Sequence, residues 1–255
     1  MYEFNKLFSD YVLKIGHVHE EELGEVYERW YNEYCDALMD SPRGIISSMS
    51  DGELSQELIE ECYLGAPSLT VMEALQSRDN ERVLVPLLYE GNSMLAYCAA
   101  ELLRNMNKIP AEAFAQLLTQ TDDSELFELV VDSLKEDPDG VRDVLLELIE
   151  GADEHVKMAI AEILSCGGKD ERVYQLLVEQ FASGDNLALY ASYLARYGDE
   201  RCAPMLYRAL SSSSYADYIE IRNAIESLGG IVDEERDFSS DPDYIYIKEN
   251  PNVQK

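Results

Sequence analysis

The chain has 255 residues, with 51 acidic against 20 basic side chains and a formal net charge of −31. That balance repels nucleic-acid phosphates, which need Lys and Arg to displace their counterions, and it repels anionic membranes for the same reason. It favours encounter with basic proteins, or it serves solubility alone. Apolar content of 46% is that of a folded protein.

The five cysteines, Cys35, Cys62, Cys98, Cys166 and Cys202, are odd in number and lack CxxC spacing, which predicts packed thiols in a reducing compartment. The opening MYEFNKLFSDYVLKIG has no positive segment ahead of an apolar run. No stretch approaches the ~18 apolar residues of a membrane span. The expected location is the cytoplasm.

Residues 2–15 place Phe4, Leu7, Phe8, Tyr11, Val12 and Ile15 on one helical face, and Gly16 ends the run. A second helix is predicted from about Glu20 to Met39, followed by the breaker Ser41-Pro42-Arg43-Gly44. Residues 1–50 thus read as a two-helix cap. From Asp51 the chain reads as helix pairs. Leu54–Leu64 goes with Ser68–Gln76, 82–90 with 93–107, and 111–119 with 124–136. The remaining pairs are 140–150 with 153–166, 171–182 with 186–197, and 201–211 with 215–228. Linkers such as Gly91-Asn92, Gly151-Ala152-Asp153 and Gly184-Asp185-Asn186 carry stop and start chemistry. From Ile231 the tail turns acidic and then presents Tyr244-Ile245-Tyr246-Ile247, readable as a short strand or extended segment on the last pair, or as a disordered end.

Small-or-branched and long apolar residues recur as Ala100/Leu103, Val131/Leu134, Ala161/Leu164, Ala191/Leu194 and Ile225/Leu228, with steps of 31, 30, 30 and 34 residues. Fixed periods in this range signal a stacked array in which each unit buries its face against its neighbours. The segments LVPLLYEGNSMLAYCAAELL, RDVLLELIEGADEHVKMAIAEIL and RVYQLLVEQFASGDNLALYASYLARYGD resemble HEAT-like repeats over roughly residues 53–230. The segment YERWYNEYCDALMDSP is similar to stretches preceding such repeats in uncharacterised bacterial proteins. The resemblance implies an all-α, right-handed α-solenoid of about six helix pairs over 51–230, an armadillo-like architecture, and a general role in protein binding. It carries over no catalytic residue. Within that class, the DNA-glycosylase type needs a basic face and the phycobilin-lyase type handles an anionic tetrapyrrole, and the charge opposes both.

Each second helix offers a position directly after its repeat-defining residue: Glu73, Glu101, Asp132, Glu162, Ser192 and Glu226. Five of the six are acidic, and at 100° per residue Glu101 lies opposite the apolar set Ala96, Ala99, Ala100 and Leu103. Stacking would align these carboxylates about one helix diameter, ~10 Å, apart. Such a row is a cradle for a basic helix, or simply the solvated face of an acidic protein with i,i+3 pairs such as Glu101/Arg104 and Asp132/Lys135. Tyr190, Tyr193 and Tyr197 fall at i, i+3 and i+7, and any exposed part of that set would anchor a protein partner.

Catalytic signatures such as GxSxG, the P-loop, GxGxxG and HExxH do not occur. His17-Val18-His19 ahead of Glu20-Glu21-Glu22 reads as a polar helix start rather than a metal site, and His155 as a surface residue. The expectation is a non-enzymatic scaffold or adaptor, without cofactor or metal, that engages a basic protein on its acidic face. An inhibitor- or immunity-type partner of a basic toxin is one version. The alternative is a small-molecule or metal binder, or an enzyme, using the N-terminal histidines and the aromatic set Tyr27, Trp30, Tyr31 and Tyr34.

Overall fold

The computed structural model describes residues 24–30, 46, 48–78, 81–233 and 236–250. Among these residues all regular structure is helical and no strand occurs. Residues 24–30 form part of the expected second N-terminal helix and bury Val26 and Trp30. The rest of the expected two-helix cap lies outside the described residues.

Two compact units divide the chain, the first ending at Met106 and the second starting at Asn107. The stretch expected as one array over 51–230 is therefore partitioned after its second helix pair. The boundary coincides with a break in helical chemistry, since Asn107 takes a left-handed φ of 53° and Pro110 stands just ahead of the next helix.

The first unit holds the pairs α1 (Asp51–Leu64) with α2 (Leu69–Gln76) and α3 (Glu81–Leu87) with α4 (Ser93–Asn105). Ser50 and Glu53 form a reciprocal capping box on α1, which satisfies two orphan amides at once. Helix α3 stops earlier than its apolar pattern suggests. Pro86 removes one amide and crowds the preceding turn, and the amides of Leu88 and Tyr89 fall back on i→i−3 bonds to Val85 and Pro86.

The second unit continues with α5 (Ala111–Gln120), α6 (Ser124–Leu134), α7 (Pro138–Leu148), α8 (Glu154–Ser165), α9 (Glu171–Ser183), α10 (Leu187–Tyr197), α11 (Ala203–Leu210) and α12 (Tyr215–Ser227). Acidic side chains cap four of these eight starts: Asp123, Asp137, Asp153 and Asp170 each accept from amides of the first turn. At the end of α10, Gly198 takes a φ of 70° so that its amide can reach the Leu194 carbonyl, a conformation that penalises any side chain. Within each unit the order is solenoid-like. Each helix packs on its pair-mate, and the second helices run on as α2 against α4 in the first unit and as α6, α8, α10 and α12 in the second. The repeat-defining residues are buried at this seam, with Ala100, Leu103, Leu134, Ala161, Leu164, Ala191, Leu194 and Ile225 at or below 1% exposure, except that Leu228, just past the end of α12, is half-buried. Small residues there let neighbouring helices approach, and the long partner fills the remaining gap.

The tail departs from both expectations. Residues 242–249 form a helix, α13 (Pro242–Glu249), rather than a strand or a disordered end. Asp241 caps it by accepting from Asp243 and Tyr244, and Pro242 fits its first turn. The same Asp241 accepts from the Tyr215 amide at the start of α12. Phe238 is buried against Tyr215 and Tyr218, at ring separations of 5.1 and 4.9 Å, and the Arg236 guanidinium covers it at 4.6 Å. The apolar end of the last pair is thereby shielded, as the terminal unit of an array requires.

Candidate functional site

One groove in the second unit, of about 410 Å³, is built from second helices alone. Helix α6 and its C-cap Lys135 supply Ser124, Phe127, Glu128, Val131, Asp132 and Lys135, spaced three and four apart so that one face lines the groove. Helix α8 supplies His155, Met158, Ala159 and Glu162 with the same spacing, and α10 closes the far side with Leu189 and Tyr193. The floor is apolar and the rim is acidic. Phe127 and His155 stack across the α6–α8 seam with ring centres 4.3 Å apart and planes 26° apart.

At the centre of the rim, Lys135 Nζ lies 2.8 Å from Asp132 Oδ1 and 2.8 Å from Glu162 Oε1. These carboxylates belong to the expected acidic row, and sharing one nitrogen brings them closer than the helix spacing would. Partial burial of Lys135 opposes its charge, but hydrogen bonds to both carboxylates outweigh that and raise its pKa above the ordinary lysine value. Tyr193 places its hydroxyl 3.5 Å from Glu162 Oε2, and burial followed by the Glu162 charge pushes its pKa up.

The remaining members of the row behave differently. Ser192 turns its hydroxyl into its own helix, donating to the Leu189 carbonyl, and Glu226 pairs with Arg222 at 2.8 Å. In the first unit, Glu73 is exposed on α2 and Glu101 half-buried on α4. The row in the second unit is thus an ion-paired centre, a gap and a separately paired end, not an open line of carboxylates.

The tyrosines expected as partner anchors are interior. Tyr190, Tyr193 and Tyr197 are 0%, 3% and 3% exposed, because their face of α10 meets α8, α9 and α12 rather than solvent. Tyr193 reaches the groove only as part of its wall. Tyr190 Oη has no hydrogen-bond partner among the described residues, and burial, with Glu154 nearby, pushes its pKa up to about 12. A buried hydroxyl left unpaired costs about 1–3 kcal/mol. Tyr190→Phe is therefore expected to raise stability by about 1 kcal/mol, read as a melting temperature higher by roughly 2–4 °C. A comparable loss would show that the hydroxyl is satisfied in solution.

Arginine-bearing loops, which the sequence reading passed over, tie successive pairs together. Asp170-Glu171-Arg172 recurs as Asp199-Glu200-Arg201. Arg172 pairs with Asp170 in its own loop at 2.8 Å and with Asp143 of the preceding pair at 2.9 Å, while Arg201 pairs with Asp199 at 2.8 Å and with Glu171 at 2.9 Å. Hydrogen bonds from Arg172 hold the Asp170 carboxyl down at about 2. Tyr197 locks the same loop: its hydroxyl donates to the Asp170 carbonyl at 2.9 Å and accepts from the Asp170 amide at 2.6 Å. The repeated Asp-Glu-Arg triplet was the available signal.

Cys62, Cys98 and Cys202 are buried, and burial raises the last two to about 12 and about 11, so neither is an activated nucleophile. Cys166 is exposed, contrary to the packed role expected of it, because it lies beyond the last turn of α8. No group of three or more His, Cys, Asp or Glu side chains among the described residues is arranged to hold a metal ion. No helix among them is long and apolar enough to cross a membrane. The segment carrying His17, His19, Tyr31 and Tyr34 lies outside the described residues.

No protein-family model matches the chain, and no curated protein matches it. Among solved structures, the crystal structure of an engineered protein aligns with 19% identity and a TM-score of 0.42. The alignment covers 78% of this chain and 61% of that one.

Proposed function

We propose that the chain is a non-enzymatic, cytoplasmic protein-binding scaffold that takes a basic segment of a partner into the groove across α6, α8 and α10. The supporting observation is that two carboxylates on neighbouring second helices, Asp132 and Glu162, already grip one alkylammonium, that of Lys135, above an apolar floor. A basic amphipathic segment offers the matching chemistry, with cations for the rim and apolar stems for Phe127, Val131, Met158 and Leu189. The net charge of −31 would draw such a partner in and discourage nucleic acids. The HEAT-like resemblance fits the same role, since stacked repeats serve as binding surfaces. Covering a basic protein as an inhibitor is one form it would take.

The reading is tested by titrating a short fluorescein-labelled amphipathic peptide of Leu, Ala and Arg at physiological salt, with circular dichroism confirming the fold of each variant. Asp132→Lys with Glu162→Lys should weaken binding by about tenfold or more, because repulsion replaces attraction at the point of contact. Glu147→Lys with Glu179→Lys, on exposed first-helix positions of α7 and α9, should change it by less than about threefold, since distant charges are screened. Equal losses in both pairs would reduce the effect to overall charge and sink the groove as the working surface.

A further inference from the structure

We infer that Lys135 is an internal occupant of the groove, holding the place that an arginine of the partner takes, so that binding exchanges one cation for another. This rests on the groove reading above and names the chemistry of its central contact.

Lys135 follows the last turn of α6, and its ammonium returns across the groove to a carboxylate on its own helix and to one on α8. The three side chains are 25%, 56% and 30% exposed, so the ion pairs face water and are of the weak, exchangeable kind. An incoming guanidinium has the advantage over this ammonium. Its planar fork presents paired N–H donors to a carboxylate, and it gives up hydration more readily. Two carboxylates held side by side suit that fork. When the guanidinium arrives, Lys135 swings outward into solvent, where its charge and flexible stem are readily accommodated. The groove therefore selects against weakly basic segments, which cannot displace the resident cation, and accepts those with a well-placed arginine.

The test uses the same Leu/Ala/Arg peptide with Lys135→Met, which keeps an apolar stem and removes the competitor. Lys157→Met on α8, outside the groove lining, makes the same change in net charge. Lys135→Met should bind about threefold to tenfold tighter than the unaltered chain, Lys157→Met less than about twofold tighter, and Lys135→Arg no tighter. Replacing the arginines of the peptide by lysine should weaken binding to the unaltered chain, because the incoming cation then has no advantage over the resident one. Equal binding by Lys135→Met and Lys157→Met, or weaker binding by Lys135→Met, would overturn the exchange and make Lys135 a structural ion-pair partner. In that case the groove reading stands if the Asp132/Glu162 reversal still weakens binding by about tenfold or more. If neither the unaltered chain nor Lys135→Met binds the peptide, both ideas fall together.

Discussion

Phe114→Ala is expected to lower the stability of the second unit by about 3–5 kcal/mol. The Phe114 ring has no exposed surface and lies on α5, which packs on both α6 and α7. Truncation removes the transfer energy of the ring and leaves a cavity that two flanking helices cannot close without tilting. Total stabilities of domains are about 5–15 kcal/mol, so the loss is a large share. Urea denaturation followed by helical circular dichroism should show a lower midpoint with a similar slope. A loss below about 1 kcal/mol would mean that the ring is not enclosed as described.

Tyr197→Ala should cost a similar amount for a different reason, and a second variant separates the parts. The ring is 3% exposed, and its hydroxyl serves both the amide and the carbonyl of Asp170. The Lys169 ammonium also sits 4.2 Å from the ring centre. Tyr197→Phe leaves the ring and strands the Asp170 amide, while the Asp170 carbonyl keeps the Tyr174 amide as a donor, with an expected cost of about 1–2 kcal/mol. Tyr197→Ala adds the loss of the ring, for about 3–5 kcal/mol in all. Equal costs for the two substitutions would place the whole effect in the hydroxyl. A Tyr197→Phe variant as stable as the original would show the loop to be held by its arginine pairs alone.

Local chemistry made the helix pairs legible. Asp153 announces a helix start, Gly184 announces a stop, and the Ala161/Leu164 type of pair marks the buried seam. Where local signals competed, the more local one prevailed: Tyr244-Ile245-Tyr246-Ile247 alternates like a strand, but Asp241-Pro242 starts a helix three residues earlier. Periodicity could not settle which side of α10 faces inward, because Tyr190, Tyr193 and Tyr197 share one face whether it meets protein or water. The candidate site was half visible. Asp132 and Glu162 were recognisable as equivalent positions, and Lys135 as an i,i+3 neighbour of Asp132. Its bond to Glu162 spans 27 residues and depends on how α6 settles against α8, which no single-helix pattern encodes.

The Asp-Glu-Arg connectors give the second unit interchangeable joints. Residues 170–198 begin with one such connector and are followed at once by the next, and each arginine reaches back to an acid on the preceding first helix. A copy of that stretch inserted after itself would find a carboxylate waiting behind it and would offer one to whatever comes next. The array can therefore lengthen or shorten by whole modules without inventing a new junction, and a groove formed by consecutive second helices would grow in register with it.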